Sequence, residues 1–195
     1  RRAVVLGISR QLIGDPAFGA GGYRYAGSIF PFAADDADPE SVAEQAAAIA
    51  DAVTAAFGLR GVNGVDFIVR DGELYVLEVN PRYTASMELI ERASGLSIFE
   101  AHVASLCGEL PAPRAPALGA HGKAIVFARR DVVVADTRPW LGRDDVRDVP
   151  FPGERIPRGR PVCTVFARAA DALACYAELV AAARAVEETL MSEVA

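Results

Sequence analysis

The chain has 195 residues, 52% of them hydrophobic, 24% charged and 8% aromatic, with a formal net charge of −6. That length suits one large domain or two small ones, and the apolar share excludes a disordered chain. No apolar run approaches the ~20 residues of a membrane span, and the acidic balance argues against a nucleic-acid partner.

In chain order, Arg2 to Ile8 reads as an apolar strand, Gly14 to Gly22 as a glycine-broken loop, and Tyr23 to Pro31 as a second strand. Asp35 to Pro39 is a polar break. A helix is expected over Ser41 to Phe57, with Val42, Ala46, Ile49, Val53 and Phe57 on one stripe and Gly58 as its C-cap. Val62 to Val69 and Leu74 to Val79 form a hairpin, and Pro81 ends its second strand. Thr84 to Ala93 and Ile98 to Cys107 read as helices separated by Gly95. The proline-rich stretch 111–122 is the best linker. Beyond it come short strands at Lys123 to Phe127, Val132 to Ala135 and Pro161 to Ala167, then a long helix from Ala170 to Met191. The expected domains are therefore 1–110, a linker 111–122, and a β-rich 123–195 closed by a helix.

Several chemistries are disfavoured at once. Lys123 is the only lysine and is followed by Ala124, so the chain has no P-loop. Cys107, Cys163 and Cys175 are odd in number and lack Cys-x-x-Cys spacing, which argues against a disulfide framework or a zinc site; each reads as a small buried hydrophobe. No Gly-x-Ser-x-Gly elbow surrounds Ser9, Ser28 or Ser86. His102 and His121 have no ligand partner at metal spacing. Gly19 to Gly22 lacks the helix and lysine of a phosphate cradle and reads as a loop. Glu88 and Glu91 read as solvated helix charge.

The hairpin is the informative segment. Its odd positions Val65, Phe67, Val69, Tyr75, Leu77 and Val79 are apolar, whereas Asp66, Glu78 and Asn80 fall on even ones. A two-residue turn would set Asp66 beside Leu77 and mix the faces. The pattern therefore selects a three-residue loop or a bulge, with Gly72 at positive φ. Two carboxylates at cross-strand distance repel, and a hard divalent cation such as Mg²⁺ removes that repulsion. Arg82, just past the strand end, has a fork that fits phosphate or carboxylate. A half-exposed hairpin with ordinary polar residues on its wet face accounts for the alternation equally well.

The run Gly64-Val-Asp-Phe, an acidic Gly turn, then Leu77-Glu-Val-Asn-Pro-Arg82 resembles the metal-binding hairpin of the ATP-grasp superfamily. The resemblance implies an α+β fold: the large ATP-grasp subdomain, an antiparallel sheet with helices, followed by a small β-rich domain with a closing helix. Residues 121–195 resemble the C-terminal domain of carboligase-like members related to biotin carboxylase. The resemblance further implies ATP with Mg²⁺ or Mn²⁺ held by Asp66, Glu78 and Asn80, Glu78 and Asn80 also serving the nucleotide, and Arg82 as the catalytic cation. Arg10, Gln11 and Tyr25 would face substrate. The implied activity is an ATP-dependent ligase joining a carboxylate to an amine or a thiol through an acyl-phosphate, with one-carbon cofactor assembly as a candidate setting. Biotin carboxylases follow the arginine with a Gln and a Glu that handle bicarbonate, and Tyr83-Thr84-Ala85-Ser86 lacks both. A carboxylase and a non-catalytic binding module are the competing expectations. The opening on Arg1 and the lack of the family's ATP-lobe lysines lead to the expectation of a fragment, inactive alone. Small-molecule substrates, a cytoplasmic location and an assembly compatible with a homodimer complete the reading.

Overall fold

The computed structural model describes residues 2–33, 38–112 and 118–191. The elements in chain order are β1 (Arg10–Ile13), β2 (Tyr25–Phe30), α1 (Pro39–Phe57), β3 (Gly64–Arg70), β4 (Glu73–Asn80), α2 (Met87–Ser94), α3 (Ile98–Leu106), β5 (Ala120–Phe127), β6 (Val132–Val133), β7 (Val146–Arg147), β8 (Arg155–Ile156), β9 (Pro161–Ala169) and α4 (Ala172–Met191). Short 3₁₀ turns stand at Pro16–Phe18 and Arg138–Trp140. This is a mixed α+β architecture with antiparallel sheets, ending in a helix. No helix among the described residues is long and apolar enough to cross a membrane.

The chain divides into two compact units: Arg1–Ser9 with Phe30–Ala117, and Arg10–Ile29 with Leu118–Ala195. In the first, α1 starts where Asp38 caps the Ser41 amide at 2.9 Å and Pro39 supplies a preset φ; Gly58, at φ 63°, ends it. Its apolar stripe buries Val42 and Ala46, but Phe57 at the end of that stripe is exposed. The same helix packs on β4, and Gln45 on the stripe side joins the hairpin through its amide: Nε2 donates to Gly72 O at 2.7 Å and Oε1 accepts from the Leu74 amide at 3.1 Å. One glutamine thus supplies β4 with a short substitute for a neighbouring strand.

The second unit holds a five-stranded sheet of order β1-β2-β5-β9-β7, with β5 and β9 antiparallel along their lengths and β6 paired with β8 as a small ribbon. The helix α4 lies on β5 and β9. A Cβ on Gly122 would stand 2.7 Å from Leu179 and 2.9 Å from Cys175, so glycine permits this close approach. Phe18 is fully buried in this core, edge-on to the Tyr176 ring at 6.0 Å, and Tyr176 donates its hydroxyl to Asp15 at 2.9 Å. Burying such an aromatic side chain contributes about 3 kcal/mol.

Three expectations change. Residues 2–9 form no strand: β1 begins at Arg10, and Val4 and Val5 are exposed, because no strand among the described residues pairs with this segment. By its contacts Arg10–Ile29 groups apart from residues 30–110. It clusters with the C-terminal sheet, where β2 borders β5 and Phe18 fills the core. Two-residue strands β7 and β8 stand where no strand was expected. Cys107 is exposed, unlike Cys163 and Cys175. Residues 34–37 of the polar break and 113–117 of the linker lie outside the described residues.

Candidate functional site

The hairpin β3–β4 turns through Asp71 at φ 54° and Gly72 at φ 79°, a two-residue turn between Arg70 and Glu73 with both central residues left-handed. That turn matches the natural twist of paired strands, which is why Asp-Gly favours it. From Arg70↔Glu73 to Phe67↔Val76 the ladder is regular. It then shifts by one residue, and Asp66 pairs with Glu78, Val65 with Val79 and Gly64 with Asn80. Leu77 is the extra residue of a β-bulge.

Of the two devices the alternation allowed, the chain uses the bulge. The cost falls on the expected apolar face. Tyr75 pairs with Ile68 and, with Leu77, is exposed rather than lying beside Val65, Phe67 and Val69. Those three instead face Val79, Val76 and Leu74.

At the open end of the hairpin the polar side chains form one chain of contacts. Asn80 is buried, 6% exposed. Its Nδ2 donates to Asp66 Oδ2 at 3.4 Å, and its Oδ1 accepts from Arg82 Nη2 at 3.0 Å. Arg82 Nη1 also donates to Tyr83 O at 3.2 Å. The Tyr83 hydroxyl donates to Glu91 Oε2 at 3.1 Å, and Glu91 Oε1 accepts from the Ile98 amide, the first of α3, at 2.9 Å. Burial, followed by the Glu91 charge and hydrogen bond, holds the Tyr83 phenol well above its ordinary range, so it remains a donor. Arg92 and Glu88 close a neighbouring i,i+4 pair at 3.3 Å.

Asp66, Glu78 and Asn80 offer only oxygen to a cation. Among the described residues no three His, Cys, Asp or Glu side chains gather into a metal cage. Two carboxylates and one amide suit a cation that keeps water and takes further oxygens from phosphate, as Mg²⁺ does, so the residues fit that ion.

The structure thus brings Asp66, Glu78, Asn80 and Arg82 to one end of one hairpin. The other expected site residues lie in the second unit. Arg10 and Gln11 are exposed on β1 opposite Ile29 and Ser28, and Tyr25 on β2 shares a 2.9 Å hydrogen bond with Ser28. His102 is structural, accepting at Nδ1 from the Val62 amide at 3.2 Å.

Gln45 and Tyr83, which the sequence reading gave no role, and Glu91, which it read as solvated charge, brace the hairpin and the loop after it. Gln45 had a usable signal, a lone amide three residues from Val42 on the buried stripe. Tyr83 and Glu91 had none, since their pairing joins a loop to a helix eight residues on. Glu91 is not the solvated charge expected of it.

Residues 1–86 match the family model of the ATP-grasp domain. An uncharacterised protein of Methanocaldococcus jannaschii is 27% identical over 116 residues, covering 60% of this chain and 28% of that protein. The formate-dependent phosphoribosylglycinamide formyltransferase of Chlorobaculum tepidum is 33% identical over 136 residues, covering 69% of this chain and 33% of the relative. The chain spans about a third or less of these two curated relatives. Among solved structures, biotin carboxylase of Campylobacter jejuni superposes with a TM-score of 0.60 at 18% identity, over 86% of this chain and 42% of that one, a likeness of fold. With the family match and the shared fold in agreement, residues 1–86 belong to the ATP-grasp family, and the chain as a whole has the fold seen in that biotin carboxylase.

Proposed function

We propose that this chain carries the cation- and phosphate-handling end of an ATP-dependent ligase that joins a carboxylate to an amine, or to a thiol, through an acyl-phosphate. The observation that carries the reading is the cross-strand pair Asp66–Glu78, with Asn80 bonded to Asp66 and Arg82 bonded to Asn80.

In this reading Asp66, Glu78 and Asn80 hold Mg²⁺ or Mn²⁺, with Glu78 and Asn80 facing the ATP phosphates. The ion, when bound, offsets the charge of the phosphates and polarises the transferred phosphoryl group. Arg82, exposed and planar at the strand end, grips the acyl-phosphate or the entering carboxylate with its fork. The Tyr83–Glu91 bond fixes the loop from which Arg82 projects. Arg10, Gln11 and Tyr25 are the substrate contacts in this reading. Catalysis is then mostly positioning and electrostatics.

The formyltransferase relative supports the acid-plus-acceptor form, because its name pairs formate with phosphoribosylglycinamide. Tyr83 to Ser86, in place of the Gln and Glu expected of a bicarbonate site, favour an acid other than bicarbonate, with an amine as its acceptor. One-carbon cofactor assembly is the setting this chemistry suits.

The test is ADP release by a protein carrying this sequence at the length of its relatives, scanned over pairs of carboxylic acids and amines. Turnover should need both partners and a divalent cation, and Asp66→Asn or Glu78→Gln should lower kcat by about a hundredfold. Turnover with bicarbonate alone would make it a carboxylase, and turnover indifferent to both substitutions would remove the hairpin from the reaction.

A further inference from the structure

We propose that Arg82 and a divalent cation compete for one atom, Asn80 Oδ1, so that loading the hairpin with the cation frees the Arg82 guanidinium for an oxyanion carried on that cation. This rests on the reading of Asp66, Glu78 and Asn80 as a cation site and adds an order of events to it.

An amide has a single oxygen, and only that oxygen can bind a hard cation. In Asn80 the amide nitrogen is turned to Asp66 Oδ2 at 3.4 Å, and the oxygen receives Arg82 Nη2 at 3.0 Å. Asn80 is 6% exposed, so water offers its oxygen little alternative. The oxygen has a second lone pair, but using it would set a guanidinium and a divalent cation on the same atom. Like charges that close repel strongly in a partly buried site.

Arg82 is the partner able to leave. Its side chain is exposed and keeps a second acceptor in Tyr83 O at 3.2 Å. Tyr83 itself is tied through Glu91 to the first amide of α3. A cation on Asn80 Oδ1 therefore removes one of two acceptors and leaves the guanidinium to pivot about a fixed carbonyl, with its fork available. Linkage makes the effect reciprocal: an oxyanion that draws Arg82 away from Asn80 strengthens cation binding by the same factor. A phosphate or carboxylate arriving with the cation is thus favoured over either partner alone.

The test uses the 195-residue chain. The Arg82 Nε–H resonance, assigned by its loss in Arg82→Lys, is followed through a Mg²⁺ titration, and Mn²⁺ affinity is measured by electron paramagnetic resonance. Mg²⁺ should move the Arg82 resonance to the position it takes in Asn80→Ala without the ion. Arg82→Lys, which keeps the charge but loses the fork, should tighten Mn²⁺ binding about fivefold or more. An Arg82 resonance unmoved while Asp66→Asn abolishes Mn²⁺ binding overturns the competition alone. Tightening in Arg82→Ala without tightening in Arg82→Lys assigns the effect to a positive charge near the site rather than to the guanidinium seated on Asn80 Oδ1, and also overturns it. Mn²⁺ affinity indifferent to Asp66→Asn and Glu78→Gln overturns the cation site and the competition with it.

Discussion

Asp66 and Glu78 stand opposite each other because Leu77 is an extra residue in β4. The Asp71-Gly72 turn, taken alone, would pair Asp66 with Leu77 and leave the two carboxylates on opposite sides of the ribbon. The bulge converts a tight turn into a bidentate acidic pair at the hairpin's open end. In the 195-residue chain, Asp66→Asn and Glu78→Gln should each weaken Mn²⁺ binding about tenfold or more while leaving the unfolding midpoint in urea nearly unchanged, since both remove a like-charge contact. Calorimetric titration checks the first part and circular dichroism the second.

The turn itself predicts opposite effects at adjacent positions. Gly72, at φ 79°, should lose roughly 1–2 kcal/mol on substitution by Ala, because a Cβ is strained in the left-handed region. Asp71→Asn should be neutral or slightly stabilising, Asn-Gly being the favoured pair for this turn. Urea unfolding of both variants measures the contrast.

Gln45 holds the turn side of β4 through two hydrogen bonds. Gln45→Ala leaves Gly72 O and the Leu74 amide without that partner and should cost about 1–3 kcal/mol. Amide hydrogen exchange should show the Leu74 amide losing protection before the rest of β4 does.

Tyr83 and Glu91 give an alkaline signature. The folded Tyr83 phenol ionises above its ordinary value of about 10, through burial and then through Glu91. Its contribution to stability is therefore fully present below pH about 10 and is lost as pH rises beyond that point, because the unfolded chain releases the proton first. A pH series of urea midpoints should fall less steeply above pH 10 in Tyr83→Phe than in the parent. Glu91→Ala should cost about 1–2 kcal/mol at neutral pH by stripping the first amide of α3 of its acceptor.

The cysteines differ in reach. Cys163 and Cys175 are buried, and burial pushes their thiols up to about 12 and about 11, whereas Cys107 is exposed. Native protein at pH 8 should label one thiol quickly with iodoacetamide, and all three only in urea. Intact mass after timed quenching distinguishes the two.

Much of this protein is set by short-range chemistry. Asp38-Pro39 starts α1 and Gly58 stops it. Asp71-Gly72 makes the hairpin turn, and the alternation of Val65, Asp66 and Phe67 against Val79, Glu78 and Asn80 required either a three-residue loop or a bulge. Each depends on residues a few positions apart, so each is legible from the sequence. The tertiary structure decided what depends on distant partners. Leu77, rather than a longer turn, became the extra residue, and Gln45 of α1 bonds Gly72 and Leu74 on the turn side of it. Arg10–Ile29 packs with the C-terminal sheet, because Phe18 and Asp15 meet Tyr176, more than 150 positions away. Residues 2–9, apolar enough for a strand, have no strand partner among the described residues, and a strand exists only where another chain segment completes its hydrogen bonds.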